Sequence, residues 1–96
     1  MNDKIIELLE LDIMDDYGKV EFTEESKNLI EEIAEECRKT ELYKHFTEKE
    51  KEYAEGLTAE EVFRDMVCKI AAAPTKIHAI ASAKLLIPII DDKLKK

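Results

Sequence analysis

Carboxylate side chains cluster between residues 12 and 24, close to the predicted end of the first helix. Carboxylate oxygens are the ligands that hard cations such as Ca²⁺ prefer, and a calcium ion needs about six to eight oxygens converging on one point. A divalent-cation site is therefore one hypothesis for this segment. The acids of the cluster are Asp12, Asp15, Asp16, Glu21 and Glu24, and the candidate metal ligands among them are Asp15, Glu21 and Glu24.

The second half of this acidic segment, GKVEFTE, resembles the second half of a calcium-binding EF-hand loop. Gly18 would take the sharp turn and Glu24 the final bidentate position, with a helix on each side. The first half departs from that motif, because Ile13 stands at its first aspartate and Tyr17 at its fifth position. We therefore expect a helix–loop–helix with an incomplete cation site, and we expect no metal or other cofactor.

A second group of candidate residues lies at the predicted start of the last helix, in the sequence APTKIH. Thr75 can cap that helix, and the free backbone N–H groups at such an end attract anions. Lys76 and His78 place positive charge near the positive end of the helix dipole, which is favourable when an anion lies there. Together with Lys84 and Arg64 they form a candidate site for an anionic small ligand such as a nucleotide or cyclic nucleotide. The simpler interpretation is a plain helix start.

The chain lacks the residue patterns of an enzyme. Its two glycines, Gly18 and Gly56, cannot form a glycine-rich phosphate loop. Its cysteines and histidines show neither the close pairing of zinc ligands nor a third group that would orient a nucleophile. Cys37 and Cys68 each fall in an apolar helical stretch, which predicts buried free thiols and a reducing compartment. We therefore expect a non-enzymatic protein of the cytoplasm.

Charge is divided unevenly along the chain. Residues 1–56 carry 18 acids and 8 bases, whereas residues 57–96 carry 5 acids and 7 bases, and the net charge is −8. This excess of acid repels a phosphate backbone, so direct nucleic-acid binding is not expected. A membrane span is not expected either, because Lys76 and Lys84 interrupt the longest low-charge run. The first residues also lack the pattern of a signal peptide.

Hydrophobic periodicity predicts an all-α fold: a compact bundle of four to five helices. The low glycine, proline and aromatic content disfavours a β-sandwich or barrel. Residues 1–96 form one domain of a size that supports a single core, with a frayed tail at about 91–96. Thr58 and Glu61 form a capping-box pattern, and Pro88 is expected to end or kink the last helix. The predicted helices span about 3–15, 23–40, 47–56, 58–73 and 75–87.

The last predicted helix is apolar on more than one face. A helix with this pattern is buried centrally or lies at an oligomer interface, and the narrow stripes of the earlier helices modestly favour self-association. A homo-oligomer is therefore expected, and a protein or an anionic small molecule is the expected further partner. The candidate interface residues are Ile77, Ile80, Leu85, Leu86 and Ile87.

A weak family resemblance lies in residues 66–93. An alanine-rich stretch and a proline turn are followed there by KIHAIASAKLLIPIIDDK, and this segment resembles the C-terminal helical hairpin of small phage proteins such as small terminase subunits. The resemblance implies a phage or mobile-element origin. The rest of the chain lacks the basic recognition helix of that family, which argues against DNA packaging. Three functions remain open. The chain is an interaction protein that self-associates and binds or sequesters a partner, or it binds an anionic small ligand as phage anti-defence sponge proteins do, or it binds a divalent cation at residues 12–24.

Overall fold

A computed structural model describes residues 2–95, except for the side chains of Asn2, Leu42, Phe46 and Thr47. Within the described residues the chain forms five α-helices and no strand, and one antiparallel bridge joins Met14 to Val20. The predicted all-α bundle is therefore confirmed. The helices are α1 (Asn2–Glu10), α2 (Glu24–Arg38), α3 (Glu41–Ala54), α4 (Ala59–Ala72) and α5 (Lys76–Leu94).

The last helix is the centre of the bundle. It packs mainly against α4 and α2 and also contacts α3 and α1. Every residue from Leu86 to Asp91 is buried, so the second half of α5 is surrounded on all sides. This arrangement explains why its sequence is apolar all round, since each face meets another helix.

Two predictions about the end of α5 are wrong. The helix does not end near Ile87 but continues through Pro88 to Leu94, and Asp91 is buried rather than part of a frayed tail. Proline removes one backbone hydrogen bond. The guanidinium of Arg38 stabilises this turn from outside, because it donates to the Pro88 carbonyl oxygen at 3.4 Å and to Asp91 at 2.9 Å. Lys96 lies outside the described residues.

Other helix boundaries also differ from the predicted ones. The first helix ends at Glu10, and Asp12 then adopts a left-handed φ of 56°, a conformation that aspartate tolerates better than most residues. The third helix begins at Glu41 because the Thr40 hydroxyl accepts a hydrogen bond from the backbone N–H of Tyr43 at 3.3 Å. It is continuous to Ala54, so the helix start predicted near residue 47 is wrong.

The fourth helix begins as predicted. The Thr58 hydroxyl accepts from the Glu61 backbone N–H at 3.2 Å, and the Glu61 carboxylate accepts from the Thr58 N–H at 3.1 Å. These hydrogen bonds lower the pKa of Glu61. The capping box thus fixes the start of the helix that carries one wall of the candidate site described below.

Candidate functional site

The acidic loop between α1 and α2 is closed by its own backbone. Asp15 accepts hydrogen bonds through Oδ1 from the backbone N–H groups of Tyr17 and Lys19, each at 2.9 Å. The N–H of Asp15 in turn donates to the Lys19 carbonyl oxygen at 2.9 Å. A carboxylate that caps its own turn in this way has a structural role that needs no cation.

The other two candidate metal ligands face lysines. Glu21 lies 3.4 Å from the ammonium of Lys19, and Glu24 lies 3.9 Å from that of Lys27. Among the described side chains no group of three or more His, Cys, Asp or Glu residues could hold a metal ion. The loop therefore offers no geometry that favours the cation-binding hypothesis.

Gly18 is required at this turn for two reasons. Its φ of 82° lies in the left-handed region, and a Cβ at this position would lie 3.0 Å from Cδ of Arg64. Phe22 makes an edge-to-face contact with Phe63 of α4, with the ring centroids 5.8 Å apart. These contacts hold the acidic loop against α4, and they place Arg64 at this loop.

The residues of the predicted anion site do not converge. The Thr75 hydroxyl caps α5 by accepting from the backbone N–H of His78 at 3.2 Å, and it also lies 3.1 Å from Nδ1 of that ring. Lys84 follows Thr75 by nine residues, about 13 Å along a helix, and its charge acts on Cys37 of α2. Arg64 contacts Gly18 instead. The helix start is capped as predicted, but Lys84 lies more than two turns along the helix from it and Arg64 lies at the acidic loop, so the bases do not converge on Thr75.

The predicted interface residues divide into two groups. Leu86 is 1% exposed and Ile87 is fully buried in the core of the chain itself, so neither is available to a second molecule. Their assignment to an interface is therefore corrected. Ile80 and Leu85 are partly exposed, and Ile77 is 78% exposed at the first turn of α5.

The exposed part of α5 forms a surface that we call the basic stripe, made of Lys76, Ile77, Ile80 and Lys84. At 3.6 residues per turn these four positions fall within an arc of about 100° on one side of the helix. No acid occurs between Ile70 and Ile90, so this side of the helix is apolar and positively charged.

An apolar groove of about 340 Å³ lies between the end of α1 and the outer side of α4. The apolar positions of α4 predict a helix from their spacing, but they do not predict this groove. The available signal was the width of the α4 stripe, which Ala71 extends beyond the core-facing positions. The lining residues are Leu9, Asp12, Ile13, Met14, Phe63, Val67, Ile70 and Ala71.

One end of the groove is acidic. A second depression shares Asp12, Ile13 and Met14 with it and is also lined by acids of the loop. We call these acids the acidic rim. Its members are Asp12, Asp15, Asp16 and Glu21, and the nearby cations are Lys19 and Arg64.

A charged cluster joins α2 to the end of α5. The guanidinium of Arg38 lies 2.9 Å from Asp91 and 2.7 Å from Asp92, and the ammonium of Lys95 lies 3.1 Å from Asp91. Burial by itself lowers the pKa of Arg38, but the hydrogen bond and the charges of the two aspartates outweigh it and raise that pKa. Asp91 is 2% exposed and belongs to the folded core, whereas the side chains of Asp92 and Lys95 are about half exposed.

The two cysteines occupy different environments. Cys37 is fully buried, and burial raises the pKa of its thiol to about 11. Cys68 is exposed on α4, so the prediction that it is buried is wrong. Neither cysteine forms a disulfide bond. The thiolate is the reactive form of cysteine, which makes Cys37 a packing residue and unsuited to a nucleophile.

We expect Cys68 to react with a thiol reagent at pH 8 while Cys37 does not. A thiol with a pKa of about 11 is only ~0.1% ionised at that pH, and Cys37 is also inaccessible. Ellman's reagent should therefore show one rapidly reacting thiol in the native protein and two in urea. Cys68→Ser should remove the rapid phase. Equal reaction of both native thiols would contradict this assignment.

None of the described helices has the length and apolar content needed to cross a membrane. Comparison with protein-family models, with curated proteins and with solved structures found no match to this chain. Its function is therefore inferred from its own residues and their geometry.

Proposed function

We propose that this chain is a non-enzymatic interaction protein that self-associates through the first half of α5 and acts by binding or sequestering a partner. The observation that carries the proposal is the exposure of Ile77. This residue is 78% exposed, although the chain buries most of its isoleucines. Burying one such side chain contributes about 1.5–3 kcal/mol, so the first turn of α5 gains stability when another surface covers it.

Ile80 extends this surface, because it is partly exposed one turn further along the same side of α5. Leu85 is also partly exposed but lies about 80° around the helix from Ile77, and Leu86 and Ile87 are used by the core. The self-association proposed here therefore concerns the first half of α5 and not its second half. An interface of standard size covers about 800 Å² on each partner, a modest share of the 6056 Å² that the chain exposes.

The setting we propose is the cytoplasm of a host cell, with a phage or mobile-element origin. Two cysteines that form no disulfide bond suit a reducing compartment. The origin rests on the resemblance of residues 66–93 to small phage proteins, and this segment also contains the exposed residues of α5. No feature of the described residues favours the anion-binding or the cation-binding alternative.

Ile77→Asp tests the proposal. We expect the wild-type protein to sediment above 11.1 kDa at high micromolar concentration. The Ile77→Asp variant should associate at least about tenfold more weakly, because it places a charge in the apolar contact. Sedimentation velocity over a range of concentrations measures both.

His78→Asp is the matched control. It introduces the same acid at the next position of α5, about 100° around the helix, at a residue that is also exposed. This variant should associate like the wild type. Equal weakening by both substitutions would mean that negative charge, rather than loss of the Ile77 contact, disrupts association.

A further inference from the structure

We infer that the groove between α1 and α4 is the receptor for the basic stripe of a second copy of this chain, so that two copies exchange stripe and groove about a two-fold axis. This inference rests on the proposed self-association and adds the surface that Ile77 contacts. Its basis is the complementarity of the two surfaces in shape and charge.

The basic stripe and the groove are complementary in apolar character. The groove is lined by Leu9, Met14 and Ile70, each of which is at least partly exposed to solvent. The stripe offers Ile77 and Ile80 one helical turn apart, which is the spacing at which a helix face enters a groove between elements. Burial of the isoleucines against these side chains removes apolar surface of both copies from water.

The basic stripe and the acidic rim of the groove are also complementary in charge. The stripe carries Lys76 and Lys84 and no acid. The acidic rim has four carboxylates against the two nearby cations, Lys19 and Arg64. Within residues 2–95, Asp12 and Asp16 make no ion pair, so they are available to a partner's lysines. Stripe against stripe would bring lysines together, whereas stripe against groove brings lysines to carboxylates.

The positions of the stripe and the groove in the fold permit a closed dimer, in which both contacts form at once. Ala71 lines the groove at the end of α4, and Lys76 begins the stripe after the short turn that follows. Because stripe and groove flank the same turn, two copies related by a two-fold axis can make both contacts at once. The expected assembly is a dimer with a mass of about twice 11.1 kDa.

Ala71→Arg tests the receptor. The residue is exposed and lines the groove, so the arginine fills the groove and repels Lys76 without a change in the core. We expect association at least about tenfold weaker than in the wild type. Ala72→Arg is the matched control, since this neighbour is also exposed and does not line the groove. It should associate like the wild type, and circular dichroism should show equal helicity for both variants.

Mixing two disabled variants tests the exchange. Ile77→Asp retains an intact groove and Ala71→Arg retains an intact stripe. An equimolar mixture therefore regains one of the two contacts and should associate more strongly than either variant alone. An affinity tag on one variant should retain the other, whereas two copies of the same variant should not be retained. Absence of this recovery would overturn the inference.

Lys76→Glu tests the charge. We expect it to weaken association by about fivefold relative to Lys51→Glu, the scale of an exposed ion pair. Lys51 is exposed on α3 and gives the same change in net charge. Equal association of the two variants would overturn the contribution of charge to the fit.

The outcomes separate the inference from the proposed function. A wild-type mass of 11.1 kDa at every concentration overturns both. A wild-type dimer that Ile77→Asp dissociates and Ala71→Arg does not overturns the groove as receptor and leaves self-association standing. A dimer that both variants dissociate, with recovery on mixing, supports both.

Discussion

Replacing Leu86 by aspartate is expected to unfold the chain. Leu86 is 1% exposed in the centre of α5, where α4 and α2 pack against the helix. Loss of a buried leucine costs about 2–5 kcal/mol, and a buried carboxylate without a partner adds to that. A domain of this size is typically stable by about 5–15 kcal/mol. Far-UV circular dichroism at low micromolar concentration should therefore show a large loss of helicity.

Ile77→Asp is the control for this experiment, because it makes the same substitution nine residues earlier on the same helix. Ile77 is 78% exposed, and an acid in the first turn is favoured by the helix dipole. Its helicity should match the wild type. If the Leu86→Asp variant remained folded and only its oligomeric mass in solution fell, Leu86 would lie at a subunit interface. The central position of α5 in the bundle would then be wrong.

Removing the Arg38 side chain is expected to cost about 3 kcal/mol of the free energy of unfolding. In Arg38→Ala the buried Asp91 keeps Lys95 as its one ion-pair partner among the described residues, and the Pro88 carbonyl oxygen loses the Arg38 donor. The cost arises mainly from leaving a charge in the core without its closest counter-ion. Urea unfolding followed by circular dichroism measures it.

Two further variants separate this cost from general effects of charge. Asp92→Asn should cost less than about 1 kcal/mol, because the Asp92 side chain is 46% exposed. The double variant Arg38→Met, Asp91→Leu should recover most of the stability lost in Arg38→Ala, since it leaves no unpaired charge in the core. Asp92 and Lys95 also lose a partner in this variant, but their side chains are 46% and 52% exposed to solvent. A loss below about 1 kcal/mol in Arg38→Ala would show that solvent reaches Asp91 and that the cluster does not stabilise the end of α5.

Local signals predicted the fold class and the start of α4. The reciprocal hydrogen bonds of Thr58 and Glu61 depend on residues three apart, so the sequence pattern alone identifies them. The same holds for Thr75, whose hydroxyl caps α5. The apolar surroundings of α5 were also predictable, because its composition leaves no polar face for solvent.

Long-range contacts explain what the sequence did not predict. The helix continues past Pro88, and there Arg38, fifty residues away, donates to the Pro88 carbonyl oxygen and pairs with Asp91. The groove depends on how closely the acidic loop approaches α4, which Gly18 and Arg64 determine together. Neither of these long-range contacts is marked by a local pattern in the sequence. Exposure of Cys68 was missed because helical periodicity does not fix how much of a face is covered.

Self-association through the first half of α5 is the central claim, and the mass of the wild-type protein in solution tests it most directly. Sedimentation velocity from low to high micromolar concentration should show a species that rises from 11.1 kDa towards twice that mass. A single species of 11.1 kDa throughout this range would contradict the claim.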